Sequence, residues 1–226
     1  MIELHNVDCM ELMKRYPDNY FNLSIVDPPY GIGEASKPRP WRGGGQAFFH
    51  ETKNWDKKRP EAGYFNSLLR VSKNCIIWGG NYYADLLPAS KAWVFWNKKT
   101  VSNLADGELA YTTFNCTLKM FSYKWEGYLQ EDMKNKEQRI HPTQKPIALY
   151  RWLLDNYAKQ GDKILDTHLG SGSSAIAAYQ LGYNFVGCEL DKDYFKAMEK
   201  RVKQAMKQTN LFQSVEEKQA EQIKIF

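Results

Sequence analysis

Five apolar runs punctuate the chain, at Leu23–Val26, Cys75–Trp78, Ala92–Trp96, Lys163–Asp166 and Asn184–Cys188. Each is short, continuous and bounded by turn or helical material, the pattern of strands buried on both faces of a parallel sheet. Between them, Met10–Arg15, Glu61–Val71, Ile147–Lys159, Ser174–Leu181 and Asp193–Lys207 carry apolar residues at helical spacing, several ending near Gly or Asn. Strands alternating with helices predict an α/β fold on a mostly parallel, twisted sheet. Glu108–Phe114 and Thr117–Tyr123 read as two further strands around Asn115 and Cys116, expected to form an antiparallel hairpin at a sheet edge. The polar stretch 208–226 is expected to be peripheral.

One segment breaks the alternation. Gly31–Pro60 holds five glycines and seven Lys or Arg against three acids. A connection of that length inside a domain is usually functional or disordered, and a surface loop without a role is the competing reading.

At 226 residues the chain is long enough to bury a core, and residues 1–226 read as a single domain. Its hydrophobic share of 43% and charged share of 25% exclude disordered, collagenous and coiled-coil classes. No apolar stretch approaches a membrane span, and Glu3, Asp8 and Glu11 stand where a signal peptide would be basic and then apolar. A cytoplasmic protein without a membrane partner is expected. The four cysteines, Cys9, Cys75, Cys116 and Cys188, are far apart and form no CxxC, so neither a zinc site nor a disulfide scaffold is signalled. The formal charge of +5 says little about partners by itself.

Three constellations carry chemistry. Asp27-Pro28-Pro29-Tyr30 follows an apolar strand and opens into the basic segment. Strand carboxyl ends in parallel α/β sheets face the ligand crevice, and two prolines stiffen the backbone there. A carboxylate, a carbonyl and an aromatic face suit a planar group bearing an amine, such as a nucleobase; an Asp-Pro-Pro turn with a surface Tyr is the plainer alternative. The second constellation is the strand, glycine turn and helix start Lys163–Ala175, with Asp166, His168, Gly170, Ser171 and Gly172, followed by Glu189 at the end of the next strand. Glycine lets backbone approach a ligand, a helix start offers free N–H groups, and a carboxylate can hold two ribose hydroxyls, so the pattern reports a nucleoside cofactor. Gly170-x-Gly172-x-x-Ala175 also satisfies the dinucleotide fingerprint of nicotinamide enzymes. That fold begins with this turn, however, and only about fifty residues follow it here. The third is His141-Pro142-Thr143-Gln144-Lys145-Pro146, which taken alone is a proline-bounded helix cap.

In chain order, with Asp27-Pro28-Pro29-Tyr30 first, His141-Pro142-Thr143-Gln144-Lys145-Pro146 next and the Asp166–Gly172 turn last, the three motifs resemble the β-group DNA amino-methyltransferases, over Asn6 to about Tyr194. The resemblance implies a Rossmann-like class I methyltransferase fold with circularly permuted motifs and S-adenosyl-L-methionine as cofactor, with no metal. It implies Asp27, Pro28, Pro29 and Tyr30 as the catalytic set. Asp8, Asp27, His141, Thr143, Lys145, Asp166, His168, Gly170, Ser171, Gly172 and Glu189 would bind the cofactor, with Asp8 near its adenine and Thr143 and Lys145 closing over its methionine end. The substrate would be double-stranded DNA with the target base flipped onto Tyr30. Asp rather than Ser before Pro-Pro-Tyr leans toward adenine N6 over cytosine N4. A homodimer and a cognate restriction endonuclease are candidate partners.

Family members commonly carry Pro and Phe where this chain has Thr167 and His168, and Thr in place of Ser173. The target-recognition segment has only Lys124–Ile140 available. DNA contacts are therefore expected from Lys37, Arg39, Trp41, Arg42, Lys53, Lys57, Lys58 and Arg59, with Trp55 a second stacking surface. A methyltransferase acting on RNA or a protein amide, a nicotinamide oxidoreductase and an inactive DNA-binding module of the same fold are the alternative readings.

Overall fold

The computed structural model describes residues 1–33, 53–101, 105–126 and 128–223, with 211–223 as backbone only. In chain order the elements are β1 (Ile2–His5), α1 (Cys9–Lys14), β2 (Phe21–Val26), α2 (Ala62–Val71), β3 (Ser72–Trp78), β4 (Trp93–Asn97), β5 (Gly107–Thr112), β6 (Lys119–Ser122), β7 (Trp125–Glu126), β8 (Leu129–Gln130), α3 (Ile147–Tyr157), β9 (Lys163–Asp166), α4 (Ser173–Gln180), β10 (Asn184–Cys188) and α5 (Lys192–Ile223). Eight strands form one sheet in the order β1-β10-β9-β2-β3-β5-β4-β6, and β7 pairs with β8 alone.

The continuous apolar runs are explained by burial on both faces. In β2 and β3, Leu23, Ile25, Ile76 and Trp78 enter one core with Leu149 and Leu153 of α3 and Ile176 of α4. Their neighbours Val26, Cys75 and Ile77 enter a second core with Leu12 of α1 and Phe65, Leu68 and Val71 of α2. Alternate strand residues point to opposite faces, so a strand sandwiched between helix layers has to be apolar throughout.

Strands β1, β10, β9, β2 and β3 are mutually parallel. The next strand, β5, is antiparallel to β3, and β4 is antiparallel to β5. The Ala92–Trp96 run is therefore not in an all-parallel setting. The expected hairpin of Glu108–Phe114 with Thr117–Tyr123 is also corrected: β4 lies between β5 and β6, pairing antiparallel with the first and parallel with the second. The hairpin near the edge is β4–β5. Apolar alternation marks a strand but not its neighbour, since β4 and β6 both offer compatible faces. Helix α5 continues to Ile223, well beyond Lys207 and through most of the stretch expected to be a tail.

Chain order runs outward from the middle of the sheet in both directions, β2 to β3 on one side and β9 to β10 on the other. The β2/β9 boundary, with Leu23 opposite Ile164 and Ser24 opposite Leu165, is the switch point at which α/β sheets open a crevice. Asp27 leaves one lip and Thr167 the other. All four cysteines are free thiols. Among the described residues no helix is long and apolar enough to cross a membrane.

Candidate active site

On the β9 lip the chain turns sharply to enter α4. Gly170 (φ 49°) and Gly172 (φ 75°) take left-handed conformations that suit glycine. Asp166 holds this turn from beneath, accepting the His168 N–H at 2.9 Å and the Ser174 hydroxyl at 2.6 Å. Burial raises its carboxyl to about 7, against those two hydrogen bonds. Glu189, after β10, accepts the Gly170 N–H and the Asp191 N–H, each at 2.9 Å, and burial raises it as well. Asp8 caps α1, accepting from the backbone of Met10 at 2.8 Å.

These pieces line a cavity of about 360 Å³. Asp8, Asp27, Pro29, His141, Thr143, Lys145, His168, Gly170, Ser171 and Glu189 all border it. Two expected cofactor residues do not. Asp166 stands behind the turn it holds. Gly172 faces α5, where a Cβ would come within 2.6 Å of Met198 and 2.8 Å of Val202, so its smallness serves helix packing. The His141 ring packs on Tyr194 at 4.4 Å and Trp55 at 5.5 Å between centroids, closing one wall with aromatic surface.

On the β2 lip, Asp27 sits in a buried ion cluster. Its Oδ2 lies 2.5 Å from Lys145 Nζ, and its Oδ1 accepts the Tyr30 hydroxyl at 2.7 Å. The same ammonium reaches Glu108 at 3.0 Å, and Glu108 is also paired with Lys98. The Lys145 side chain is only 3% exposed, Asp27 15% and Glu108 22%. Burial lifts Asp27, opposed by the Lys145 charge. Burial also pushes Glu108 up, but Lys145 and Lys98 outweigh it and hold the carboxyl at about 2. Burial alone would lower Lys145, yet Asp27 and Glu108 keep it above the usual lysine range.

The Pro28 and Pro29 carbonyls are not bare either: the buried Tyr83 hydroxyl lies 2.9 Å from one and 2.7 Å from the other. The Tyr30 ring abuts Gly79, where a Cβ would fall 2.3 Å from it, and stacks on Tyr82 at 4.9 Å and 17°. Tyr30 borders a second, open hollow of about 510 Å³ with Lys57, Lys58 and Arg59.

Residues 90–200 match the family model for N6/N4 DNA methylases. The type II methyltransferase M2.DpnII of Streptococcus pneumoniae is 29% identical over 156 residues, 69% of this chain and 51% of that protein. Residues 90–200 thus carry an N6/N4 DNA methylase domain. The type II methyltransferase M.HinfI of Haemophilus influenzae is 24% identical over 249 aligned positions, covering 87% of this chain and 67% of that protein. Among solved structures, the M1.HpyAVI–SAM complex superposes with a TM-score of 0.55 at 21% identity, covering 89% of this chain and all of that one. The fold is thus the Rossmann-like class I methyltransferase fold. The chain spans about half the length of M2.DpnII.

Within this N6/N4 methylase frame the Thr167-His168 departure has a local account. Thr167 Oγ1 lies 2.7 Å from the Tyr64 hydroxyl and 2.9 Å from His168 Nδ1. Burial lowers the imidazole to about 4, so at neutral pH an uncharged ring borders the cavity.

The expected DNA-contact residues divide. Lys37, Arg39, Trp41 and Arg42 lie outside the described residues. Lys53 is engaged by Asp191 and Asp193, at 2.5 and 3.0 Å. Arg59 reaches the Asp85 carboxylate at 2.6 Å and the Tyr82 carbonyl at 2.7 Å. Lys57 and Lys58 are exposed beside Tyr30. Trp55 lines the cavity with His141 rather than offering a free stacking face.

The sequence reading missed Glu108, Lys98, Tyr82, Tyr83 and Asp56, whose buried carboxylate takes the Gly31 N–H at 3.0 Å. One available signal was charge inside buried strands. Glu108 interrupts the apolar run of β5 opposite Trp96, Lys98 follows β4 two residues further on, and buried charges are kept when paired.

Proposed function

We propose that this chain is an S-adenosylmethionine-dependent DNA methyltransferase acting on an exocyclic amine, adenine N6, of a base extruded from the duplex. Residues 1–226 would act as one catalytic domain. The observation that carries the reading is that the ends of β2 and β9, some 140 positions apart in sequence, share one cavity. The cofactor suits that cavity by its donor set: Asp8 and Glu189 for amine and ribose hydroxyls, backbone of the Gly170 turn, the neutral His168 ring and the Trp55–His141 wall. Bound there, S-adenosylmethionine supplies an already activated methyl on a sulfonium.

The protein's task is then positioning and exclusion of water. An exocyclic amine is a weak nucleophile because its lone pair is delocalised into the ring. Acceptance of its N–H protons by Asp27 and by the remaining lone pair of the Pro28 carbonyl would turn that lone pair out of the ring plane. A nitrogen that took the methyl from the sulfonium would have one proton to shed. Asp27, lifted by burial, is the adjacent base that receives it and passes it to solvent. Tyr30 offers the ring on which the base stacks. Extrusion itself costs a few kcal/mol of unstacking.

The choice of adenine over cytosine rests on the family resemblance, by which Asp rather than Ser before Pro-Pro-Tyr points to N6. Incubation with radiolabelled S-adenosylmethionine and DNA, RNA or protein should label DNA alone, and methylation-sensitive sequencing of DNA from expressing cells should report N6-methyladenine in one sequence context. Label on RNA or protein, or a melting temperature raised by a nicotinamide dinucleotide instead of adenosylmethionine, would overturn the reading. N4-methylcytosine would overturn only the choice of base.

A further inference from the structure

The Lys145 ammonium is buried, and its three N–H donors meet three acceptors: Asp27 Oδ2 at 2.5 Å, Glu108 Oε2 at 3.0 Å and the Tyr30 oxygen at 3.3 Å. Tyr30 in turn donates to the other Asp27 oxygen. The carboxylate is thereby held at both oxygens by groups that also hold each other, which fixes its plane as well as its position. A lysine charge this deeply buried is costly unless fully paired, so its placement is specified by these partners. Glu108 takes a second N–H of the ammonium at 3.0 Å, lies 3.3 Å from the same Tyr30 hydroxyl and is itself paired with Lys98. Without Glu108 the ammonium would be left to Asp27 and the Tyr30 oxygen, and Asp27, the one anion remaining to it, would give up more of the lone-pair capacity that an amine needs.

We propose, resting on the amine-methylation reading above, that Lys145 and Glu108 are a positioning pair for Asp27: Lys145 orients the carboxylate, and Glu108 divides the ammonium so that Asp27 stays available to the substrate amine. Lys145 is then not a ligand for the methionine end of the cofactor, although it borders the cavity.

The charged or titratable groups around Asp27 are Lys145 ahead of α3, Glu108 on β5, Lys98 after β4, Tyr30 on its own segment, Tyr83 after β3, Tyr150 on α3 and Asp166 at the end of β9. Lys145 lowers the carboxyl and Glu108 raises it. The two variants therefore have opposite signatures. Asp27 must be ionised to accept amine protons, so activity falls as pH drops through its pKa, and that acid limb is read in kcat/KM.

The test measures steady-state methylation of DNA by the full chain across pH, with S-adenosylmethionine affinity by calorimetry. Lys145→Met should lower kcat by about 10²-fold, the scale of misplacing a reacting group, leave cofactor affinity within threefold, and move the acid limb to higher pH. Glu108→Gln should move the limb to lower pH. A Lys145→Met enzyme with normal kcat and weakened cofactor binding would make Lys145 a cofactor ligand and overturn the proposal, as would a limb that neither variant moves. If Lys145→Met fails to fold, as judged by circular dichroism, the direction of the Glu108→Gln shift decides. Should the wild type methylate no DNA, the functional reading falls. The positioning pair is then decided by carbon-NMR titration of the Asp27 carboxyl, which must rise in Lys145→Met and fall in Glu108→Gln.

Discussion

The two lips of the cavity hold their carboxylates in different ways. On the β9 and β10 side, Asp166 is tied to His168 and Ser174, Asp8 to Met10, and Glu189 to Asp191 and Gly170, the most distant of these partners being 19 positions away. On the β2 side, Asp27 keeps one near partner, Tyr30, and one more than a hundred positions away, Lys145, while Glu108 reaches Tyr30 across 78 positions. On the first lip the carboxylates are held by turns that organise themselves. The second exists only once the sheet has closed and brought β2, β5 and the segment before α3 together. A local turn binds what its backbone shape dictates, whereas a long-range ion cluster can be tuned by residues from several elements.

The sharpest way to break this contrast is to remove one carboxylate from each side. Asp27→Ala should reduce methyl transfer to DNA by about 10³-fold or more, within the range for loss of an acid–base group. Cofactor affinity by calorimetry should stay within threefold, because the hydrogen bond and ion pair of Asp27 go to Tyr30 and Lys145 and not to the turns above. Glu189→Ala should do the reverse. It frees the Gly170 N–H and removes the acceptor proposed for the ribose, so the cofactor Kd should rise about 10²-fold, equivalent to one or two lost charge-assisted hydrogen bonds. Its kcat at saturating cofactor should remain within a few-fold. If Asp27→Ala loses cofactor as badly as Glu189→Ala does, the two lips are one binding unit and the division fails.

A smaller effect is expected outside the cavity. Lys57→Glu with Lys58→Glu should weaken DNA binding about tenfold and flatten the plot of log affinity against log salt by about 0.9 per lost phosphate contact. Arg59→Glu should cost less than either lysine, because Arg59 is already committed to Asp85 and the Tyr82 carbonyl. Filter binding between low and physiological salt measures both. Equal slopes in wild type and the double variant would remove this surface from the DNA path.

The same contrast explains what the sequence could tell. Both lips were legible as motifs: Lys163–Asp166 and Asn184–Cys188 coincide with β9 and β10 residue for residue, and the Gly170 turn lies where the glycine spacing put it. Their interactions are local, so adjacency in sequence is adjacency in space. Lys145 is legible as part of a helix-start motif and, through the resemblance, as a cofactor residue, but its tie to Asp27 is not, because nothing in either motif encodes the strand order that joins them. Glu108 was assigned to a strand correctly but given no role, since a lone acid in an apolar run shows its cost and not its partner. The β5/β6 pairing was misread for a related reason. Close spacing of two apolar runs favours a hairpin, and only the tertiary sheet inserts β4 between them.

The smallest expected effect lies within the β9 turn and tests whether that lip is as self-contained as its hydrogen bonds suggest. Asp166 and His168 are two positions apart, the first buried and the second half-buried at the cavity, and they shift in opposite senses. Burial raises Asp166 from 3.8 to about 7, so between those values the folded state holds a proton that the unfolded state has lost, and stability falls as pH rises. Burial lowers His168 from 6.5 to about 4, so between those values the unfolded state holds the extra proton, and stability rises with pH. The windows overlap from about 4 to 6.5, and there the two contributions oppose each other. Thermal melts of wild type across that range should carry little slope from this turn. His168→Phe leaves Asp166 unopposed and should tilt the profile downward with rising pH by up to one proton. Asp166→Asn leaves His168 unopposed and should tilt it upward by a similar amount. Identical profiles in all three proteins would mean that water reaches both groups, and a solvated turn could not be the rigid, dry cradle on which the cofactor half depends.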